Sequence, residues 1–299
     1  MATRSKGPGA GAGWLTRGVS VTFQHPKQLL GGAALTTLMA LIPTLITTPI
    51  RLHAIHTGTN ALATLGWIMA IAMLASLLLM PIYAGYLQMI DATERGLPTR
   101  ARDIFKLYAQ GEALRVIGYG VVQAVVYVAF FALILTTVGG DVLHWYAQVL
   151  QAQATHQPPA TTLPAGFGTT FLLIMVGSLL LMGFHSIGLG QVALRRRNVF
   201  AAFGDGVIGT LKNVLPLVVY ALCVLLSFVA VGLVFALVVL VLTVIGKFVG
   251  LWLMFVLLVP LYIALLLFMF SSMFGMMYYL WRDVCGDDVV AGPAETVAA

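Results

Sequence analysis

Charge is what this chain lacks most. Only 9% of its 299 residues are Asp, Glu, Lys or Arg, against about 25% in soluble domains. So few charges cannot cover a water-facing surface of this size, which excludes a soluble globular fold. Cysteine is nearly absent too. Cys223 falls inside an apolar run and Cys285 beside a charged end, so a disulfide between them is excluded. The apolar runs hold no paired acids, no nucleophile elbow and no His-Glu-x-x-His, and therefore no plausible catalytic set. No cofactor motif is present either, and none is expected.

What the chain has in abundance is apolar length. Residues 28–50, 52–90, 116–140, 142–194, 213–246 and 248–281 contain no charged side chain. About 20 apolar residues cross the hydrocarbon core of a bilayer, and a crossing segment must satisfy its own backbone groups as a helix or in a closed barrel. Runs this long and continuously apolar exclude strands. Helices are expected at Leu29–Ile50, Leu62–Ile90, Leu114–Val138, Phe167–Leu189, Val214–Leu242 and Leu251–Leu280, with Pro43 and Pro49 kinking or ending the first. The expected fold is all-α: a polytopic transmembrane bundle of six helices, with short interfacial amphipathic helices on the cytoplasmic side.

Basic residues orient the bundle. Of the 16 Lys and Arg, all but Arg51 and Lys247 fall on one side of these spans. By the positive-inside rule that side is cytoplasmic, which puts both termini in the cytosol of a bacterium and the spans in its inner membrane. The net charge of +6 is thus a topology signal and not a nucleic-acid groove. Trp67 and Trp252 at outer ends, Trp281 at an inner end, and Trp14 and Trp145 in flanking segments read as an interfacial belt.

Along the chain, residues 1–13 are Gly/Ala-rich and read as flexible, 14–286 as the transmembrane domain, and 287–299 as a disordered tail. Leu15, Val19 and Phe23 recur at helical spacing and suit a helix on the inner leaflet. Leu97, Ala101, Ile104 and Tyr108, then Phe200, Phe203 and Val207, repeat the plan. The chain therefore reads as a threefold repeat of interfacial helix plus hairpin over 14–96, 97–198 and 199–286. Short matches accompany it: Gly-Val-x-x-Thr at Gly18–Thr22 and Gly206–Thr210, and Pro-x-Tyr at Pro81–Tyr83 and Pro260–Tyr262. The one sizeable outer segment, Gly139–Gly166, predicts an amphipathic helix over Asp141–Gln153 that covers the bundle.

Candidate sites are few. His53 and His56 lie one helical turn apart and could share a metal with His144 or Asp141, but exposed loop histidines are the better reading. Within the membrane, His185 is expected to hydrogen-bond across helices with Gln88 or Gln123, as structural glue. At the inner face, Asp91, Glu94 and Arg95 close the second span and Arg282 and Asp283 the sixth. They read as paired caps and as anchors on anionic headgroups. Expected partners are membrane lipids, with a membrane protein or a second copy as the protein alternative. The residues favour a non-enzymatic envelope component over a small-solute transporter or channel, and either over an intramembrane enzyme.

One resemblance adds to this. The Trp14…Phe23…Pro26 approach, Pro81…Gly85…Asp91-x-x-Glu94-Arg95-Gly96, Asp103-Ile104-Phe105 and the terminal Tyr279-x-x-Arg282-Asp283-Val284 resemble a family of uncharacterised proteobacterial polytopic inner-membrane proteins, over residues 14–286. Trp281 and Cys285 stand where that family usually has Tyr and Phe. The resemblance implies fold and location, and no activity.

Overall fold

Backbone groups in lipid find partners only along the helix that carries them, and this chain is helical almost throughout. The computed structural model describes residues 3–57, 61–155, 157–158 and 162–286, so the tail over 287–299 lies outside the described residues. In chain order the helices are α1 (Ala10–Gln24), α2 (Pro26–Thr57), α3 (Ala61–Glu94), α4 (Lys106–Ala109), α5 (Ala113–Thr137), α6 (Gly140–Ala154), α7 (Phe167–Leu194), α8 (Val199–Lys212), α9 (Val214–Val249) and α10 (Leu251–Cys285). A 3-10 turn over Ala101–Phe105 leads into α4. Among the described residues there is no strand. Six helices, α2, α3, α5, α7, α9 and α10, are long and apolar enough to cross a membrane: this is a multi-pass membrane protein.

Pro43 and Pro49 do not end the first span: α2 runs on past both to Thr57. Proline frees a carbonyl one turn back, but hydroxyls and neighbouring helices can re-satisfy backbone in a membrane helix. Pro43 and Pro49 free the Met39 and Leu45 carbonyls; beside the second, the Thr47 and Thr48 hydroxyls donate to the Thr44 carbonyl of their own helix, at 3.3 and 2.7 Å.

The packing has a cyclic order. α3, α7 and α10 touch one another at the centre, and α2, α5 and α9 each pack on the central helix that follows them in sequence. The short elements sit on the preceding hairpin: the 3-10 turn on α2 and α3, α8 on α5 and α7. α1 closes the ring on α9 and α10. Close approach explains where these contacts fall. A Cβ on Gly18 would lie 2.6 Å from the Met276 nitrogen and 2.8 Å from the Ser272 carbonyl of α10, and Gly275 faces Gly18 across the same crossing. Beside it the Thr22 and Ser271 hydroxyls meet at 2.9 Å. The second Gly-Val-x-x-Thr has the same use: Gly206 faces the Phe184 carbonyl of α7, and Thr210 is buried.

In α1 and α8 the small residues turn inward, so Phe23 and Phe200 point outward, 69% and 75% exposed. The segment between α3 and α5 differs from the expected amphipathic helix. Ile104 and Leu107 are its buried pair, while Leu97 and Tyr108 are exposed, because a 3-10 turn brings i and i+3 to one side. The Tyr108 hydroxyl donates to the Leu78 carbonyl, and partial burial holds its phenol above the ordinary pKa.

The core lies toward the charged end. Trp14 and Trp281 are 0% and 2% exposed and sit within it, not in an interfacial belt; Trp67 and Trp252, at the opposite end, are exposed. The most apolar stretch of α9 has no residue buried within the chain. Lipid tails are as apolar as leucine, so aliphatic faces gain little by packing on each other. Glycine crossings and polar pairs gather the helices instead, and the ion pairs and the α1 crossing among them lie at the charged end.

The N-terminus also departs from expectation. Residues 3–9, read from composition as flexible, form a fastened strap. The Arg4 N–H donates to the Val284 carbonyl at 2.9 Å, and the Lys212 ammonium to the Thr3 carbonyl at 3.0 Å. Asn213, buried at the break between α8 and α9, accepts from the Lys6 N–H at 2.8 Å and donates to the Arg4 carbonyl at 2.9 Å. Its carboxamide thus reads the strap as a neighbouring strand would. Asn213→Ala is expected to release the strap and speed tryptic cleavage at Arg4 and Lys6 by about tenfold, the worth of one or two hydrogen bonds. Equal cleavage rates in variant and parent would contradict this.

Candidate functional site

Three helix C-termini converge on the axis of the ring. Terminal carbonyls carry partial negative charge and favour cations, and the sequence supplies an arginine to each: Arg95 just after α3, Arg195 capping α7, and Arg282 in the last turn of α10. They line one cavity of about 370 Å³ with Asp91, Glu94, Tyr278, Trp281 and Gly286.

The expected residues do meet here, in two groups. Asp91 takes the Arg95 guanidinium at 3.0 Å from its own helix and the Tyr278 hydroxyl at 3.0 Å from α10. Glu94 takes Arg282 at 3.1 Å across the bundle. Asp283 turns instead to α1, where it receives both guanidinium nitrogens of Arg17 and the Trp14 indole N–H, the last at 2.9 Å. Arg17 and Arg282 both lie over the Tyr279 ring, 4.8 and 4.5 Å from its centroid. Two further pairs extend the network round the face: Arg197 and Gln191 hold Asp205, at 2.9 and 2.8 Å, and Arg115 holds Glu112 at 2.8 Å.

Arg17, Tyr278 and Arg195 are not among the candidate site residues of the sequence, and Trp14 is read there only as an interfacial anchor and a motif residue. Signals for some of them were present. Tyr278 stands one helical turn before Arg282, and Arg17 one turn after Trp14, so each pair shares a helix face. Nothing local marks Arg195 over its neighbours Arg196 and Arg197; only the direction in which α7 ends sets it on the axis.

At membrane depth His185 of α7 meets Gln123 of α5, Nδ1 to Oε1 at 2.6 Å, and Gln123 donates on to the Tyr127 hydroxyl at 2.8 Å. A carbonyl oxygen only accepts, so Nδ1 carries the proton. Gln88 instead donates to the Ala193 carbonyl at 2.7 Å, and the Ser186 hydroxyl to Met182 of its own helix. Cross-helix bonds of this kind contribute about 0.6 to 2 kcal/mol. Gln123→Leu, which orphans the imidazole N–H, is expected to cost about 1 kcal/mol in detergent unfolding, and the double change with His185→Phe to cost less. A double change costing the sum of the singles would contradict a direct pair.

On the opposite side His53 and His144 are exposed, and the side chain of His56 lies outside the described residues. Among the described residues no group of three His, Cys, Asp or Glu side chains gathers to hold a metal. No family model, curated protein or solved structure matches the chain, so the reading of this site rests on its own geometry.

Proposed function

We propose that this is a non-enzymatic component of a bacterial inner membrane, both termini in the cytosol, whose charged face works as a platform on anionic lipid headgroups. The observation that carries this is the one-sided charge: 14 of the 16 Lys and Arg lie at the end where α3, α7 and α10 converge. Among the described residues, each carboxylate at that end is bound to an arginine or, for Asp103, to the Arg100 backbone N–H. The acids are thereby spent inside the network. Rim cations such as Lys27, Arg102 and Lys106 remain to face headgroups, each worth about 1 kcal/mol near an anionic surface. The short motifs that resemble proteobacterial inner-membrane proteins agree with the location. Transport of a polar solute fits less well, because no Asp, Glu, Lys or Arg lies deep within the spans and His185 is the one histidine there.

A periplasm-active reporter fused after Ala299 is expected to stay silent. Changing Lys27, Arg102 and Lys106 together to Ser is expected to lower the phosphatidylglycerol that co-purifies by several-fold. An active reporter overturns the orientation, and unchanged lipid overturns the platform.

A further inference from the structure

Two interfacial helices meet their spans at one-residue elbows: α8 joins α9 through Asn213, and α1 joins α2 through His25. At the Asn213 elbow the carboxamide closes directly on an extended segment, the strap. At the His25 elbow the loop over 97–100 passes opposite, and a cleft of about 640 Å³ stays open between them. Its walls include His25, Gln28, Thr99, Arg100, Arg102 and Asp103. The donors here are free. Among the described residues the side chains of His25, Gln28 and Arg102 make no hydrogen bond or ion pair, and Arg100 meets no carboxylate. The one acid in the wall, Asp103, is turned to the Arg100 backbone N–H at 2.8 Å. A second, independent feature indicates which anion the cleft suits. Phe23, on the last turn of α1, and Leu97, in the wall, are 69% and 55% exposed. An anionic head with apolar chains satisfies both the arginines and these side chains, whereas a soluble anion offers nothing to phenyl or leucine.

We propose that this cleft seats the phosphodiester headgroup of one anionic lipid, gripped by Arg100 and Arg102 with His25 and Gln28 as further donors, its chains passing Phe23 and Leu97. Guanidinium forks match a pair of phosphate oxygens, and basic pockets between membrane helices at the cytoplasmic side suit such headgroups. The inference rests on the platform reading and narrows it from a diffuse rim to a single seat. A rim attracts headgroups by charge alone. A seat adds directed hydrogen bonds, so one lipid per chain is held more tightly than the rest.

Native mass spectrometry of the full-length protein in mild detergent, titrated with phosphatidylglycerol or phosphatidylcholine, counts the lipids retained. One phosphatidylglycerol per chain is expected to bind saturably, about tenfold more tightly than phosphatidylcholine. Arg100→Gln is expected to weaken that first lipid about tenfold, as loss of a charge-assisted fork requires. Gln28→Ala is expected to weaken it about threefold, and serves where Arg100→Gln does not fold. Neither change touches Lys27, Arg102 or Lys106, so the total phosphatidylglycerol that co-purifies should stay within about twofold of the parent in both. A first lipid that binds both variants as it binds the parent, or a parent that retains phosphatidylcholine equally well, would overturn the seat. The platform then stands or falls on its own rim substitutions. Displacement of the lipid by equimolar glycerol phosphate would assign the cleft to a soluble anion and likewise overturn the lipid seat.

Discussion

Gly18→Val is expected to unfold this protein more readily than any other single change discussed above, at a cost of about 3 kcal/mol. The new side chain would occupy the space of the Met276 nitrogen and the Ser272 carbonyl, which are backbone atoms of α10 and cannot rotate away. α1 must therefore lift. With it go the burial of Trp14 and Val21, the Thr22–Ser271 bond and the Arg17–Asp283 pair. Reversible unfolding in mixed micelles with increasing SDS measures the effect. Gly18→Ala is expected to fall between, since its single carbon still meets those atoms. A valine variant that unfolds at the parent's midpoint would show that α1 is not seated on α10 at all.

Asp283→Ala is the second large effect, with an expected cost of about 2 kcal/mol. Its carboxylate serves two donors on α1, and removal leaves the Trp14 indole N–H buried without an acceptor. It also leaves Arg17 half-buried beside Tyr279 without a counter-charge. Losing one partner of such a pair costs more than losing both. Arg17→Met combined with Asp283→Ala is therefore expected to be milder than the sum of the two, with a coupling of about 1 kcal/mol. Asp283→Asn keeps an oxygen for Trp14 and should lose about half as much as alanine. A strictly additive cycle would remove the ion pair from the account of α1 docking.

Much of the architecture was legible because lipid imposes simple rules. The absence of charge over 213–246 leaves a helix as the only economical state for that segment, and the structure has α9 there. Short elements before each hairpin were legible from apolar spacing, and Asp91, Glu94 and Arg282 from charge at helix ends. What was hidden is pairing between distant residues. Trp14 and Asp283 are 269 positions apart, and no local pattern says that an indole will find that carboxylate instead of a membrane surface. The strap was hidden for a similar reason. Gly- and Ala-rich sequence carries no packing signal, and what fastens it is the backbone, held by an asparagine 209 residues away. Pro43 and Pro49 do not end α2, because neighbouring helices and hydroxyls can re-satisfy backbone within a membrane helix.

The seating of α1 also has a consequence in time. A chain is made from its N-terminus at about 5–20 residues per second, and of the helices described α1 is made first and its seat on α10 last. Until then α1 waits with Gly18 and Trp14 uncovered on that side, so the ring can close only once α10 has been made. A message truncated before α10 would yield two finished hairpins and a first helix with only α9 to dock on, which marks such products for quality control.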